Sequence, residues 1–437
     1  MKKIISLILA VLFILTFAGC SQPGKDGNTP YIQNGFWYVD GVSTGVKAQG
    51  EDGATPTITI DKDGYWVING VKSEHKATGS TTGATTNINV FLPDEYDIAV
   101  NDNFQLFYRG VVQAVNPYNY DITVTCEKGN AYPRYFEWKP ETADVGKSYT
   151  LKMTVRDDNG NLLGSDTTKL NVRKIKTTGV EKQNVICIGD SLTQRGYWSD
   201  ELYRRLAQTG GSPAGLGLNY FNFIGTQKKG SNLVGHEGYS GRHWEWFCGV
   251  DSPFYDSSKR DISFKSYCQK NGYEDIDVVY FLLTWNRQGT PYNTFDITKD
   301  QFVYATKMID KLHAEYPNAI IRCMGIQMPS QCGGMGYVYG SNGKYSEDYG
   351  MLVSAMRYNA ALEDFCQQAK YKNFVKYVDV AGQFDTDYNM PSSSKPVNNR
   401  NESVTEQIGT DGVHPSLPGF YQIADAAYRS MCEVFSA

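Results

Sequence analysis

The chain reads as an α/β protein, with a parallel sheet flanked by helices over its C-terminal half and β modules ahead of it. Three observations predict this. The apolar, β-branched run Asn184-Val185-Ile186-Cys187-Ile188 ends abruptly in Gly189-Asp190-Ser191, as a buried strand does when it delivers a polar residue to the carboxyl edge of an open sheet. From about Val180 onward, strand-like and helix-like patterns alternate, which is how consecutive βαβ units look. Between Ile88 and about Lys174 they do not: short alternating segments separated by turns argue for a β-sandwich of immunoglobulin type.

A length of 437 residues leaves room for two or three domains. With 41% hydrophobic and 20% charged residues the bulk is globular. A net charge of -5 and the lack of a dense Lys/Arg cluster give no field for nucleic acid. Tyrosine is abundant at 31 residues, which suits stacking on sugars but equally suits sandwich faces.

Residues 1–20 read as an export signal. Lys2-Lys3 is a positive start, Ile4 to Phe17 is apolar, and Ala18-Gly19-Cys20 comes next. The apolar run is short for a transmembrane span, and small residues mark a cleavage site. The segment resembles a bacterial lipoprotein signal, which implies a lipid on Cys20, a membrane anchor, and an outer-membrane location on either the cell surface or the periplasmic face. Phe17 departs from the usual aliphatic residue there.

Residues 21–75 combine a polar tether with an internal repeat. Gly35-Phe36-Trp37-Tyr38-Val39 is echoed by Gly64-Tyr65-Trp66-Val67-Ile68, and each unit reads as two very short strands around an aromatic centre. These units resemble aromatic β repeats near the N-terminus of Bacteroidota surface lipoproteins. A structural spacer is the preferred reading, because so short a hairpin needs Trp37 and Trp66 for its own core. In the 88–175 domain Asp157-Asp158-Asn159-Gly160-Asn161 is a strong hairpin turn. No catalytic constellation occurs there, so the task of this domain is to position its C-terminal neighbour or to hold ligand weakly.

The 180–437 region carries the chemistry. Its strands are expected at Asn184–Gly189, Tyr220–Gly225, Val278–Leu283, Ala319–Ile326 and Val375–Val380, with helices around residues 200–206, 302–312, 351–369 and 419–434. Ligands bind just beyond the carboxyl edge of such a sheet, which is where Ser191 falls. Gly-Asp-Ser also suits a plain turn with a helix N-cap. A serine needs a base, and the base needs an orienting acid. Of the five histidines, His75 lies in a linker, His313 reads as a solvated helix residue, and His236 and His243 flank a loop. His414 differs: Asp411-Gly412-Val413-His414 places a carboxylate three residues before it, where it can fix the imidazole tautomer. An N-capping Asp beside a chance His would look the same. Oxyanion donors are available at Gly241, in Glu237-Gly238-Tyr239-Ser240-Gly241-Arg242, and at Asn286. Each could instead be a simple turn or a strand-end cap. Apart from Cys20, the cysteines show neither a Cys-x-x-Cys pair nor a Cys/His cluster, so no metal site is expected, and nothing calls for a cofactor.

Taken in order, Gly189-Asp190-Ser191-Leu192, a Gly after the second strand, an Asn after the third, and Asp411-Gly412-Val413-His414 before the last helix resemble the SGNH or GDSL hydrolase family. The resemblance covers roughly Val185 to Ser436. It implies a three-layer, flavodoxin-like α/β/α domain and a serine esterase. Ser191 would be nucleophile, His414 general base and Asp411 the orienting acid. The Ser191 and Gly241 N–H groups and the Asn286 amide would form the oxyanion hole, with Gly238 a weaker alternative to Gly241. The third block departs from the family's Gly-x-Asn-Asp and reads Thr284-Trp285-Asn286-Arg287. An acetylated carbohydrate is the expected substrate, with Arg242, Trp244, Trp246 and Trp285 as candidate contacts; Trp244 and Trp246 could equally be loop core. A lipase or lysophospholipase, or a catalytically impaired glycan-binding lipoprotein, are the rival readings.

Overall fold

The computed structural model describes residues 87–437 apart from 229–232, 284, 288–296, 332 and 341–347, and, ahead of them, residues 31–33, 36–39, 42–47, 58–60, 65–68 and 70–76. Cys20 and the signal segment lie outside the described residues. The chain divides into two compact units, Met1–Thr86 and Asn87–Ala437.

In the first unit each aromatic repeat forms three antiparallel strands, not the two that its sequence suggests. They are β1 (Tyr31–Gln33), β2 (Phe36–Val39) and β3 (Val42–Lys47), then β4 (Ile58–Ile60), β5 (Tyr65–Ile68) and β6 (Val71–Lys76). The third strand is mostly polar and pairs with the aromatic one through an irregular register, so it carries no alternation to read. Trp37 and Ile68 are buried together.

The second unit begins with two small sheets around one core. β7 (Glu95–Ala99), β9 (Asp121–Thr125), β12 (Ser148–Arg156) and β13 (Leu162–Arg173) form one, in the order β7-β13-β12-β9. β8 (Phe104–Phe107), β10 (Asn130–Ala131) and β11 (Tyr135–Trp138) form the other. Leu106, Phe136, Leu151, Met153 and Val172 fill the space between them. The Asp157–Asn161 turn closes the β12–β13 hairpin, with the Asp157 carboxylate accepting the Asn159 and Asn161 amides.

The remaining residues build a parallel sheet. Its strands are β14 (Gln183–Gly189), β15 (Phe221–Ile224), β19 (Val278–Leu282), β20 (Ile320–Met324) and β21 (Val375–Val378), with β16 (Glu237–Gly238) pairing the end of β14. A small hairpin, β17 (Tyr255–Asp256) with β18 (Asp261–Ile262), lies between β16 and β19 in sequence. The order β15-β14-β19-β20-β21 is that of a doubly wound sheet whose direction of travel reverses between β14 and β19. Neighbouring residues of β19 show that helices cover both faces. Tyr280 donates to the Ala427 carbonyl of the C-terminal helix Leu417–Val434 at 3.0 Å. Phe281, pointing to the opposite face, packs on Trp244 with centroids 4.7 Å apart. The C-terminal helix starts with Pro at its first turn and buries Phe420, Ile423, Ala427 and Met431, a stripe at helical spacing.

The β domain and the α/β domain share one seam. Asp102 is buried between Arg205 and Arg429, at 2.6 and 2.7 Å. Lys376 on β21 pairs with Glu95 and Asp97 on β7, and the Tyr96 hydroxyl donates to Asp379 at 2.5 Å. A polar hairpin, β22 (Ser392–Asn398) with β23 (Asn401–Gly409), projects just before Asp411.

Candidate active site

Three strand ends converge. In the register of the sheet Gly189 sits beside Gly238 on one side and Leu282 on the other. The segments that leave these strands, Asp190–Ser191, Tyr239–Arg242 and Trp285–Asn286, therefore emerge side by side at the carboxyl edge, beside the point where the strand order reverses. Gly189 is needed for this: a Cβ there would lie 2.0 Å from Thr193 Oγ1 and 2.6 Å from the Leu282 carbonyl oxygen.

Asp190 caps the short helix Ser191–Gln194 by accepting the Leu192 amide at 3.0 Å. Ser191, on the helix's first residue, lies with its Oγ 2.9 Å from His414 Nε2. His414 Nδ1 lies 2.9 Å from Asp411 Oδ2. The other Asp411 oxygen accepts the backbone amides of Val413 and His414, both at 2.9 Å. This carboxylate has two opposed influences on it. Burial pushes it up, but the His414 ring and the two amides together hold it below the usual carboxylate range. The loop is tied from behind as well: Gln327 Nε2 donates to the Val413 carbonyl at 2.6 Å and the Ser330 amide to the Gly412 carbonyl at 3.1 Å. The arrangement is a serine, an imidazole and a carboxylate in one hydrogen-bonded run, the order that nucleophilic acyl transfer uses.

Asn286 stands at the other side of Asp190. Its amide donates to Asp190 Oδ2 at 3.1 Å and to the Arg242 carbonyl at 3.2 Å. Asp190 is fully buried, and burial pushes its carboxyl up to about 7 against the pull of the Leu192 amide, His414 and Asn286. Gly241, next to Arg242, is exposed, has φ of +76°, and has open space where a side chain would be. Gly238 is less suited to an oxyanion: its N–H donates to His236 Nδ1 at 3.1 Å. Below it Glu237, fully buried, accepts the Tyr267 and Tyr239 hydroxyls and the Thr226 amide, bracing this strand end.

Two of the four expected substrate contacts are misplaced by the sequence. Trp244 is 1% exposed and Trp285 2%; both belong to the hydrophobic core, Trp244 against Phe281. Aromatic rings flanking a polar loop can turn either way, and these turn inward to cover the sheet. Trp246 stays half-buried, with the Arg242 guanidinium 5.0 Å from its ring centre. Residues Trp244–Phe247 form a helical turn and not an open loop. His313 also departs from expectation: its ring stacks on Phe374 at 3.7 Å and is not freely solvated. Asp190 and Gln327 are site residues that spacing alone did not single out, although Asp190 lies within the Gly-Asp-Ser block.

A cavity of about 840 Å³ lies at the other end of the sheet, lined by Glu95, Thr168, Ile320, Glu363 and Val375. It opens at the amino ends of β20 and β21, away from Ser191. Among the described residues no cluster of His, Cys, Asp and Glu is arranged to hold a metal ion, and no helix is long and apolar enough to cross a membrane.

No protein-family model and no curated protein matches the chain. Among solved structures, a carbohydrate esterase of family 3 from Talaromyces cellulolyticus is 16% identical, with 58% of this chain and 98% of that one covered and a TM-score of 0.36. An acetyl xylan esterase is 15% identical over 56% of this chain and 98% of its own, with a TM-score of 0.29. The periplasmic domain of a lipopolysaccharide acetyltransferase from Salmonella Paratyphi A is 14% identical over 59% and 85%, with a TM-score of 0.31. These are similarities at low identity, and the chemistry rests on the side chains.

Proposed function

We propose that this protein is an exported serine esterase of the SGNH or GDSL kind, and that it removes O-acetyl groups from carbohydrate through an acyl-enzyme. The observation that carries the reading is the continuous run from Ser191 Oγ through the His414 ring to Asp411, with 2.9 Å at both joints. His414 Nε2 takes the hydroxyl proton as Ser191 attacks the ester carbonyl. Asp411 holds Nδ1–H and stabilises the imidazolium. The N–H groups of Ser191 and Gly241 and the Asn286 amide receive the oxyanion. The alcohol leaves with the proton from His414, and water activated by the same ring hydrolyses the acyl-enzyme.

A carbohydrate is favoured by what surrounds the triad. The segment whose Arg242 carbonyl accepts the Asn286 amide also carries the Arg242 guanidinium and the Trp246 ring beneath it. The helix Gly334–Tyr339 begins against the Asp411 backbone and exposes Tyr337. Planar and polar groups of this sort suit sugar rings better than acyl chains. The Lys2-Lys3 start, the apolar run and Cys20 support export as a lipoprotein of the outer membrane of a Bacteroidota-type cell. The two-sheet core of residues 88–175 supports an immunoglobulin-type domain.

The test compares p-nitrophenyl esters from acetyl to long acyl chains, and acetate release from acetylated xylan, for wild type and Ser191→Ala. Wild-type turnover no greater than the variant's would remove the enzyme reading. A steep rise with acyl length would replace the acetylesterase by a lipase.

A further inference from the structure

We propose that Arg109, a residue of the β domain, positions the loop that carries Asp411 and His414, so that the β domain is a working part of the site; this rests on the hydrolase reading above. Arg109 is 9% exposed and lies on the short helix Tyr108–Val111. Its guanidinium stands between the two segments that support the Asp411–His414 loop.

On one flank Arg109 Nε faces Asp387 Oδ1 at 2.6 Å. Asp387 belongs to the turn that ends at Asn389, and the Asn389 carbonyl accepts both the Ser416 amide at 3.0 Å and the Ser416 hydroxyl at 2.9 Å. Ser416 comes two residues after His414. On the other flank Arg109 Nη1 donates to Gln331 Oε1 at 3.3 Å. The neighbouring Ser330 amide holds the Gly412 carbonyl, and Gln327 holds that of Val413. Both supports of the catalytic loop thus lead back to one side chain. The guanidinium pairs as an ion with Asp387 and donates to Gln331 from one rigid plane, whereas the donors of an ammonium rotate about a flexible stem.

Removing Arg109 does not strand Asp387. Arg134 Nη1 still pairs with it at 2.9 Å and the Tyr118 hydroxyl still donates to it. The Asp387 side persists, and the loosening falls on the Gln331 side of the loop, which Arg109 ties to the β domain. Displacements of about 1 Å at a reacting pair cost on the order of 100-fold in rate, so turnover is the sensitive readout.

The experiment uses the full chain and p-nitrophenyl acetate. Arg109→Ala is expected to lower kcat about 10- to 100-fold with KM within about two-fold, and Arg109→Lys to fall between it and wild type. Added guanidinium restores part of the kcat of Arg109→Ala and none of that of Ser191→Ala. Hydrogen exchange of the 411–414 amides is faster in Arg109→Ala. Unchanged kcat with unchanged exchange overturns the proposal, as does a loss of kcat that guanidinium leaves untouched. If Arg109→Ala does not fold, Gln331→Ala cuts the second tie alone: lower kcat with faster exchange supports the proposal, and wild-type values of both overturn it. A wild type without Ser191-dependent turnover sinks the hydrolase reading, while the exchange measurement still decides the positioning.

Discussion

The Asn286 side-chain amide donates to the Arg242 backbone carbonyl at 3.2 Å while its other hydrogen goes to Asp190 at 3.1 Å. Both amide hydrogens are therefore engaged before any substrate arrives. The bond to Asp190 fixes the plane of the amide. The bond to Arg242 is the one that an oxyanion would take over, since Asp190 is fully buried while Arg242 lies on an exposed turn. Asn286→Ala is expected to lower kcat about 100-fold, the lower end for loss of one oxyanion donor, because part of the amide's strength is spent in displacing Arg242. Steady-state kinetics on p-nitrophenyl acetate measures this. An unaltered kcat would mean that the amide stays with Arg242 throughout.

Asp190 makes the second prediction, which concerns pH. Its carboxyl is fully buried and pushed up to about 7. Between the ordinary carboxylate range and pH 7 the folded chain keeps a proton there that the unfolded chain has released. This group therefore favours folding least at high pH, and its share of stability falls as pH rises through 7. The full loss is on the order of 4 kcal/mol. Asp190→Asn cannot ionise and should lack that slope. Urea unfolding at pH 5 and pH 9 compares the two chains; equal losses of stability across that interval would remove Asp190 as the cause.

The sheet and the proximity of Ser191, His414 and Asp411 were legible because their signals are local or chemically narrow. β14 and β19 are short apolar runs buried on both faces, and their ends fall within a residue of the expected positions. Asp411 and His414 share one loop, so their pairing could be read three residues apart. What escaped is whatever depends on a partner far away in sequence. Nothing in the local sequence marks Arg109, Arg205 and Arg429, yet each is buried against a carboxylate: Arg109 against one in the α/β domain, Arg205 and Arg429 against Asp102 of the β domain. Trp244 and Trp246 are two residues apart with similar neighbours, and only the packing on Phe281 decides that Trp244 goes inward. The β22–β23 hairpin is so polar and exposed that no alternation marks it.

The divergent burial of those two tryptophans can be measured. Trp244→Ala empties a core position and should cost about 3–5 kcal/mol of stability, with KM for p-nitrophenyl acetate unchanged in whatever folds. Trp246→Ala removes a half-buried ring that Arg242 covers, at a cost below about 2 kcal/mol. Its effect belongs to KM on acetylated oligosaccharide, with little change on p-nitrophenyl acetate. Thermal melts together with kinetics on both substrates check the pair. A destabilisation of Trp246→Ala as large as that of Trp244→Ala would place both rings in the core.

Asp102 supplies the last prediction, on the seam. Burial pushes its carboxyl up, but Arg429 and Arg205 hold it below the usual carboxylate range. Asp102 is 6% exposed and Arg205 and Arg429 are 3% and 4% exposed, so neither arginine can turn to water if the carboxylate is lost. Arg205 keeps Asp425 at 2.5 Å and Arg429 keeps Gln383 at 2.7 Å, which softens the loss without cancelling it. Asp102→Ala should therefore cost about 3–5 kcal/mol, as breaking a buried pair does when the other charge stays behind. The lowered carboxyl sets the sign of the pH dependence. Its contribution is whole above the unfolded carboxylate range and disappears as pH drops through the folded value. Urea midpoints at pH 7, 4 and 3 should converge for wild type and Asp102→Ala as the pH falls, and a gap that stays constant would show that packing, not charge, holds the two domains at this point.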